Sequence, residues 1–190
     1  MADAPKLGKP GAGLPFVEHV LLRYWAFPRF LKRSTWDQRL RLFVKEGERV
    51  LELVTRDGID RQKRVLIPRV SGMEDSSRFW SVDMTLEHLV IVGAMMQQVI
   101  VELNSGHRPT IIAGTAEVKP TGAVGDDRVV AFEAFLRGFK KELTDPTLAG
   151  GERSRHPHPW LGPLTAPEWL AIAALHQRVH RQQIEKILAG

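Results

Sequence analysis

Four stretches of this 190-residue chain place apolar residues at alternating three- and four-residue steps, the period of an amphipathic helix. The first starts around Ser34 and runs to Asp57–Gly58, with Trp36, Leu40, Phe43, Gly47, Val50 and Val54 on one stripe. Within that stripe Gly47 makes sense as a point of close helix approach. The second follows Ser81 or Asp83 as cap and ends at Asn104, Ser105 and Gly106; its stripe is Met84, His88, Ile91, Val92, Met95, Val99 and Leu103. The third follows Asp126 or Asp127 and buries Val129, Phe132, Phe135, Leu136, Phe139 and Leu143. The fourth, Thr165 to Gly190, opens with a capping box, Thr165 and Glu168, with Pro167 in its first turn. Its stripe is Trp169, Ile172, Ala173, Val179, Ile184 and Ile187. Long connections and no convincing strand pattern between these segments predict an all-α chain, a four-helix bundle with long crossover loops.

Ahead of the bundle, residues 1–14 read as a flexible leader and 15–190 as one domain. Leu14 to Phe27 packs on the body as a short helix stopped near Pro28. The segment from His107 to Gly125 is a long loop. In RHPHPWLGPLT the prolines set an extended path into the last helix; His156 and His158 read as exposed or bonded locally, with a part in a site as the alternative for either.

Histidines carry the chemistry. His176 and His180 form an HxxxH pair on the core face of the last helix. Residues four apart have Cβ atoms about 5–6 Å from each other, near enough for two imidazoles to meet at one ion. Two imidazoles in a core stripe need partners, because burying them unpaired costs free energy. His88 is the only polar member of the second stripe, and neighbouring helices in a bundle can bring it to the same point. His19, beside Glu18 and Arg23, reads as a surface or interface residue.

Other chemistries are excluded by what is missing. With no cysteine there is no disulfide, thiolate site or cysteine nucleophile, which suits a cytoplasmic protein. Gln177 stands where a HExxH protease has its general-base glutamate. Walker A, GxSxG, dinucleotide-binding and paired ExxH patterns are absent. The net charge of +5 is spread; Arg29, Lys32, Arg33, Arg39, Arg41 and Lys45 read as a solvated face, and nucleic acid is not an expected partner. No run approaches the ~18 apolar residues of a membrane span, so no membrane partner is expected.

WSVDMTLEHL, HPWLGPLT and LHQRVHRQQIEKIL, in that order, resemble the DinB-like metalloprotein superfamily, in its branch of unknown function. The resemblance covers about Ser34 to Leu188. It implies an up-down-down-up four-helix bundle, here with an N-terminal extension, a homodimer, and one divalent ion on His88, His176 and His180. Zinc or nickel is the first expectation, with iron and manganese as further candidates. Related activities are thiol S-transfer, thiol-dependent isomerisation and hydrolysis of small molecules; a non-catalytic, stress-associated metal binder is the alternative. Three neutral imidazoles leave the ion at full charge with open positions for water or substrate. Gln177, Gln183, Glu87 and Asp83 are candidates to hold the outward ring nitrogens.

Overall fold

Thr35 begins the first long helix: its hydroxyl accepts from Gln38 N–H while the Gln38 side chain accepts from Thr35 N–H. In the computed structural model this helix, α3, spans Trp36–Val54, and the structure describes residues 5–111, 118–122, 127–145 and 153–190. Ser34, expected at the start, instead accepts from Arg39. The expected alternative cap Asp126 and residues 112–117 and 123–125 of the expected 107–125 loop lie outside the described residues, as do the first four residues of the leader.

Before α3, α1 (Phe16–Leu21) passes through a π-helical turn (Leu22–Ala26) into α2 (Phe27–Lys32), making one continuous N-terminal helix. The helix is not stopped at Pro28. A proline lacks the N–H and clashes with the carbonyl four residues back; the wider π turn, in which Phe27 N–H reaches Leu22 O, relieves that clash. After α3 come α4 (Val82–Asn104), capped by Ser81, α5 (Arg128–Leu143) and α6 (Ala166–Ala189), whose Thr165–Glu168 capping box is present.

The described residues therefore hold five helices, and two small antiparallel sheets besides. This corrects the expected four-helix bundle with its up-down-down-up order and strand-free connections. β1 (Val65–Leu66) pairs with β2 (Phe79–Trp80), and β3 (His156–His158) with β4 (Gly162–Leu164). Strands of two or three residues are too short to show a two-residue period. The first sheet delivers the chain into α4 and the second into α6, the two helices that carry the histidines.

Packing follows the stripes. α6 lies against both α3 and α4, and α5 against α4 and α3. Phe43 stacks on Phe139 with ring centroids 3.8 Å apart, and Phe135 meets both rings edge-on. Glu46 on α3, buried, accepts from Arg178 Nε at 2.9 Å and Arg181 Nε at 2.5 Å on α6. Arg39 is not on a solvated face: it is buried and donates to Ser34 Oγ, Ser34 O, Leu31 O and Pro167 O, tying the end of α2 to the start of α6. α4 is the most apolar element. One 18-residue window in it has a mean hydropathy of 1.5, long and apolar enough to cross a membrane, with 56% of the window buried inside the protein. The expectation that no stretch approaches a span is corrected for this helix, whose burial is that of a core helix.

Two glycines mark close approaches. A Cβ on Gly47 would sit 2.6 Å from Leu136 Cδ1, as the stripe on α3 suggested. A Cβ on Gly93 would sit 2.2 Å from Phe135 Cζ. Phe135 is held by Phe43 and Phe139, so Gly93→Ala is expected to destabilise the fold by about 1–2 kcal/mol, overpacking outweighing the ~1 kcal/mol gain in helix propensity. Urea unfolding of the variant measures this, and a more stable Gly93→Ala protein would contradict the packing described.

Candidate metal centre

α4 and α6 cross so that His88 meets the pair on α6. His88 Nε2 lies 3.1 Å from His176 Nε2, and ring centroids are 5.1 Å (88–176), 4.6 Å (88–180) and 4.4 Å (176–180) apart. One ligand nitrogen from each ring lies within 4.8 Å of the others. In a tetrahedral zinc site with Zn–N of about 2.0–2.1 Å, ligand nitrogens stand about 3.3 Å apart. The His88–His176 pair already stands close to that spacing at 3.1 Å. They form a buried tri-histidine cluster able to coordinate a divalent metal ion.

Two tautomers are set by neighbouring groups. His88 Nδ1–H donates to Val118 O at 2.7 Å, which leaves Nε2 with a free lone pair. His180 Nδ1–H donates to Gln183 Oε1 at 2.6 Å; Gln183 Nε2 in turn donates to Ser77 O at 2.7 Å, so the amide cannot be turned round. His180 Nε2 is likewise left bare. Without an ion, His176 Nε2–H can donate to the bare His88 Nε2 at 3.1 Å, and a divalent ion would take the place of that proton and engage the three rings together. On this observation the residues fit the metal.

Lys119 steadies the Val118 carbonyl from the next residue. Its Nζ donates to Glu74 Oε2, Ser76 Oγ and Ser77 Oγ and lies 5.4 Å from the Trp80 ring centroid. Trp80 stacks on His180 and meets His88 edge-on, closing one side of the cluster. Of the four expected supporting residues, only Gln183 is in that role. Glu87 pairs with Thr121 and Arg128, Asp83 with Arg61, and Gln177 is buried beside Gly47 on the α3 side. A backbone carbonyl takes the other place, and no side-chain pattern could have announced it. Gln183→Leu is expected to weaken metal affinity by about 10–100-fold with all three imidazoles retained. Competition with a chromophoric chelator reads this directly; unchanged affinity would remove Gln183 from the site.

Burial pushes His88 down to about 4, against the upward pull of its bond to Val118 O, and His158 down to about 4 by burial alone. His176 and His180 are held well below 6.5, first by burial and then by neighbouring imidazoles. All four are therefore neutral at pH 7, the state a ligand requires. Each has a folded pKa below its unfolded value of 6.5, so the stability it permits is fully present above 6.5 and is lost as pH falls towards 4. His88 alone accounts for about 3 kcal/mol. Metal-free protein is expected to lose thermal stability progressively between pH 6.5 and 4, with His88→Ala flattening the profile; a Tm constant down to pH 4.5 would contradict the burial of these rings.

The cluster opens on a cavity of about 160 Å³ with an almost entirely apolar wall, including Met95, Met96, Trp160, Trp169, Ile172 and Val179. One polar member of that wall is a histidine whose part in a site the sequence left as an alternative. His158 lines the wall, and its Nδ1 accepts from Trp160 N–H at 3.2 Å, leaving hydrogen on Nε2. Its only sequence signal was its place just before the last helix. His156 is buried, and its carbonyl accepts from Trp169 Nε1 at 3.3 Å. His19 Nε2 donates to Trp160 O at 2.6 Å.

Compared with known proteins, the chain matches no family model, no curated protein and no solved structure.

Proposed function

We propose that this protein is a metal-dependent enzyme of the DinB-like kind, a thiol S-transferase or a hydrolase acting on a small, largely apolar molecule. One observation carries the proposal: the tri-histidine cluster is not sealed, but faces a largely apolar cavity with the neutral imidazole of His158 on its wall. A site built only to hold an ion has no use for such a space. Donors made solely of imidazole suit zinc or nickel. When bound, such an ion supplies Lewis acidity, lowering the pKa of a water or thiol that it holds into the neutral range.

The chain's own residues supply the rest. His158 presents Nε2–H to a carbonyl or leaving-group oxygen in the cavity. Trp160 and Trp169 line the cavity, exclude water and strengthen that hydrogen bond. Among the described residues the charged groups on the wall are Glu74 and Lys119, which pair with each other. The cavity therefore has no spare charge for a second ionic group on the substrate, and its volume resembles the ~150 Å³ apolar cavities that take a benzene-sized body. Cytoplasmic residence and a homodimer belong to the same proposal, supported by the lack of cysteine and by the resemblance.

Metal-replete protein, assayed against thiol-conjugation and against ester and amide panels, is expected to turn over at least one apolar substrate, to stop when chelated and to restart on metal addition. His158→Ala is expected to lower kcat by ~100-fold with metal affinity retained. Silence in both panels would contradict catalysis and leave a non-catalytic metal binder.

A further inference from the structure

The N-terminal helix has two unlike sides. Its inner side is fully engaged: Glu18 accepts from Arg69, from Ser71 Oγ and from Gly72 N–H, His19 holds Trp160 O, Leu22 lines the cavity and Phe27 is buried. Its outer side carries two rows at four-residue steps, Phe16, Val20, Tyr24 and Val17, Leu21, Trp25, all exposed; Phe16 is 80% accessible, Tyr24 69% and Trp25 64%. An α-helical row at four-residue steps drifts around the axis, and the wider π turn at Leu22–Ala26 offsets that drift. The result is a single apolar face of six side chains. A contiguous exposed apolar patch of this kind marks an interaction surface.

Charge decides which surface it meets. Arg29 and Lys32 follow, exposed, on the same helix, Arg33 ends it, and Lys6 and Lys9 lie exposed in the leader. The one acid of the helix, Glu18, is turned inward. Arg29 sits over the Trp25 ring at 5.8 Å and Arg23 over Tyr24 at 5.6 Å. Apolar side chains with indole and phenol rings at their margin, and cations on long stems beside them, are what a helix lying in a lipid headgroup layer requires. A second copy of the chain would bring the same cations together with no outward acid on the helix to receive them. A bilayer with anionic headgroups meets the apolar rows and the cations at once.

We propose that the outer face of the N-terminal helix docks the protein on an anionic lipid surface, lying on the membrane and not spanning it. This departs from the sequence reading, which expected no membrane partner. Because the inner face of this helix covers the cavity through Leu22, docking places the apolar pocket directly beneath the lipid interface. The inference stands on the surface chemistry and is independent of the metal.

Full-length protein is to be sedimented with phosphatidylcholine vesicles with and without phosphatidylglycerol. Binding is expected with the anionic vesicles, weakening as salt is raised. Phe16→Ser with Tyr24→Ser and Trp25→Ser is expected to reduce it by about tenfold or more, with Tm and metal affinity unchanged. Should the triple variant fold poorly, Arg29→Gln with Lys32→Gln, which spares the apolar rows, is expected to reduce it by roughly tenfold. No binding to anionic vesicles, or equal binding by the folded variants, would overturn the proposal. So would a dimer in sedimentation velocity that the same substitutions dissolve, which would assign the face to a second copy.

Discussion

Replacing His176 with alanine is expected to abolish stoichiometric binding of a divalent metal. The loss should exceed the ~100-fold that follows from deleting a supporting hydrogen bond such as Gln183's, because a coordinating nitrogen itself disappears. His176 is the best of the three to remove. It is half-buried and borders the cavity, whereas His88 and His180 are buried and hydrogen-bonded to Val118 O and Gln183. Alanine also keeps α6 helical, so a loss of metal will not be a loss of fold. Zinc titration against a competing chelator is the measurement, with circular dichroism to show that the helices remain. Wild-type affinity in His176→Ala would mean that the metal, if bound, is held elsewhere.

The largest expected loss of stability comes from Trp169→Ala, about 3–5 kcal/mol by urea unfolding. Trp169 is fully buried at the start of α6, and its Nε1 donates to His156 O. Its ring lies 6.0 Å from His156 and 5.2 Å from His158, centroid to centroid. One side chain thus fastens the β3–β4 hairpin to α6 and forms part of the cavity wall. Its removal leaves a void and frees the hairpin that carries His158, so the cavity should lose its shape along with the stability. Trp169→Phe refills most of the void without the hydrogen bond and is expected to recover much of the loss. A change under ~1 kcal/mol for Trp169→Ala would contradict its place in the core.

The helices were legible where local chemistry decides. The Thr165–Glu168 capping box and the HxxxH spacing need only neighbours three or four residues away, and His88 stood out as the one polar residue in an apolar stripe. Gly47 was legible as a close approach for the same reason. What escaped depends on distant partners or on backbone atoms. Arg39 looks like any surface cation until four oxygen acceptors from separate segments close around it. Val118 contributes a carbonyl, which its side chain does not advertise, and the strands are too short for their pattern to register. Pro28 read as a stop because the remedy, a π turn, leaves no mark in residue type. His158 carries no signal of its own, since its value comes from the hairpin that turns it onto the cavity.

The central claim is that imidazoles from α4 and α6 share one ion. X-ray absorption at the metal edge, on untagged protein loaded with one equivalent of zinc, tests it most directly. Three imidazole nitrogens at about 2.0–2.1 Å, with the remaining position filled by a light atom, are the predicted shell. A shell built of carboxylate or water oxygens, or one with fewer than three imidazoles, would contradict it.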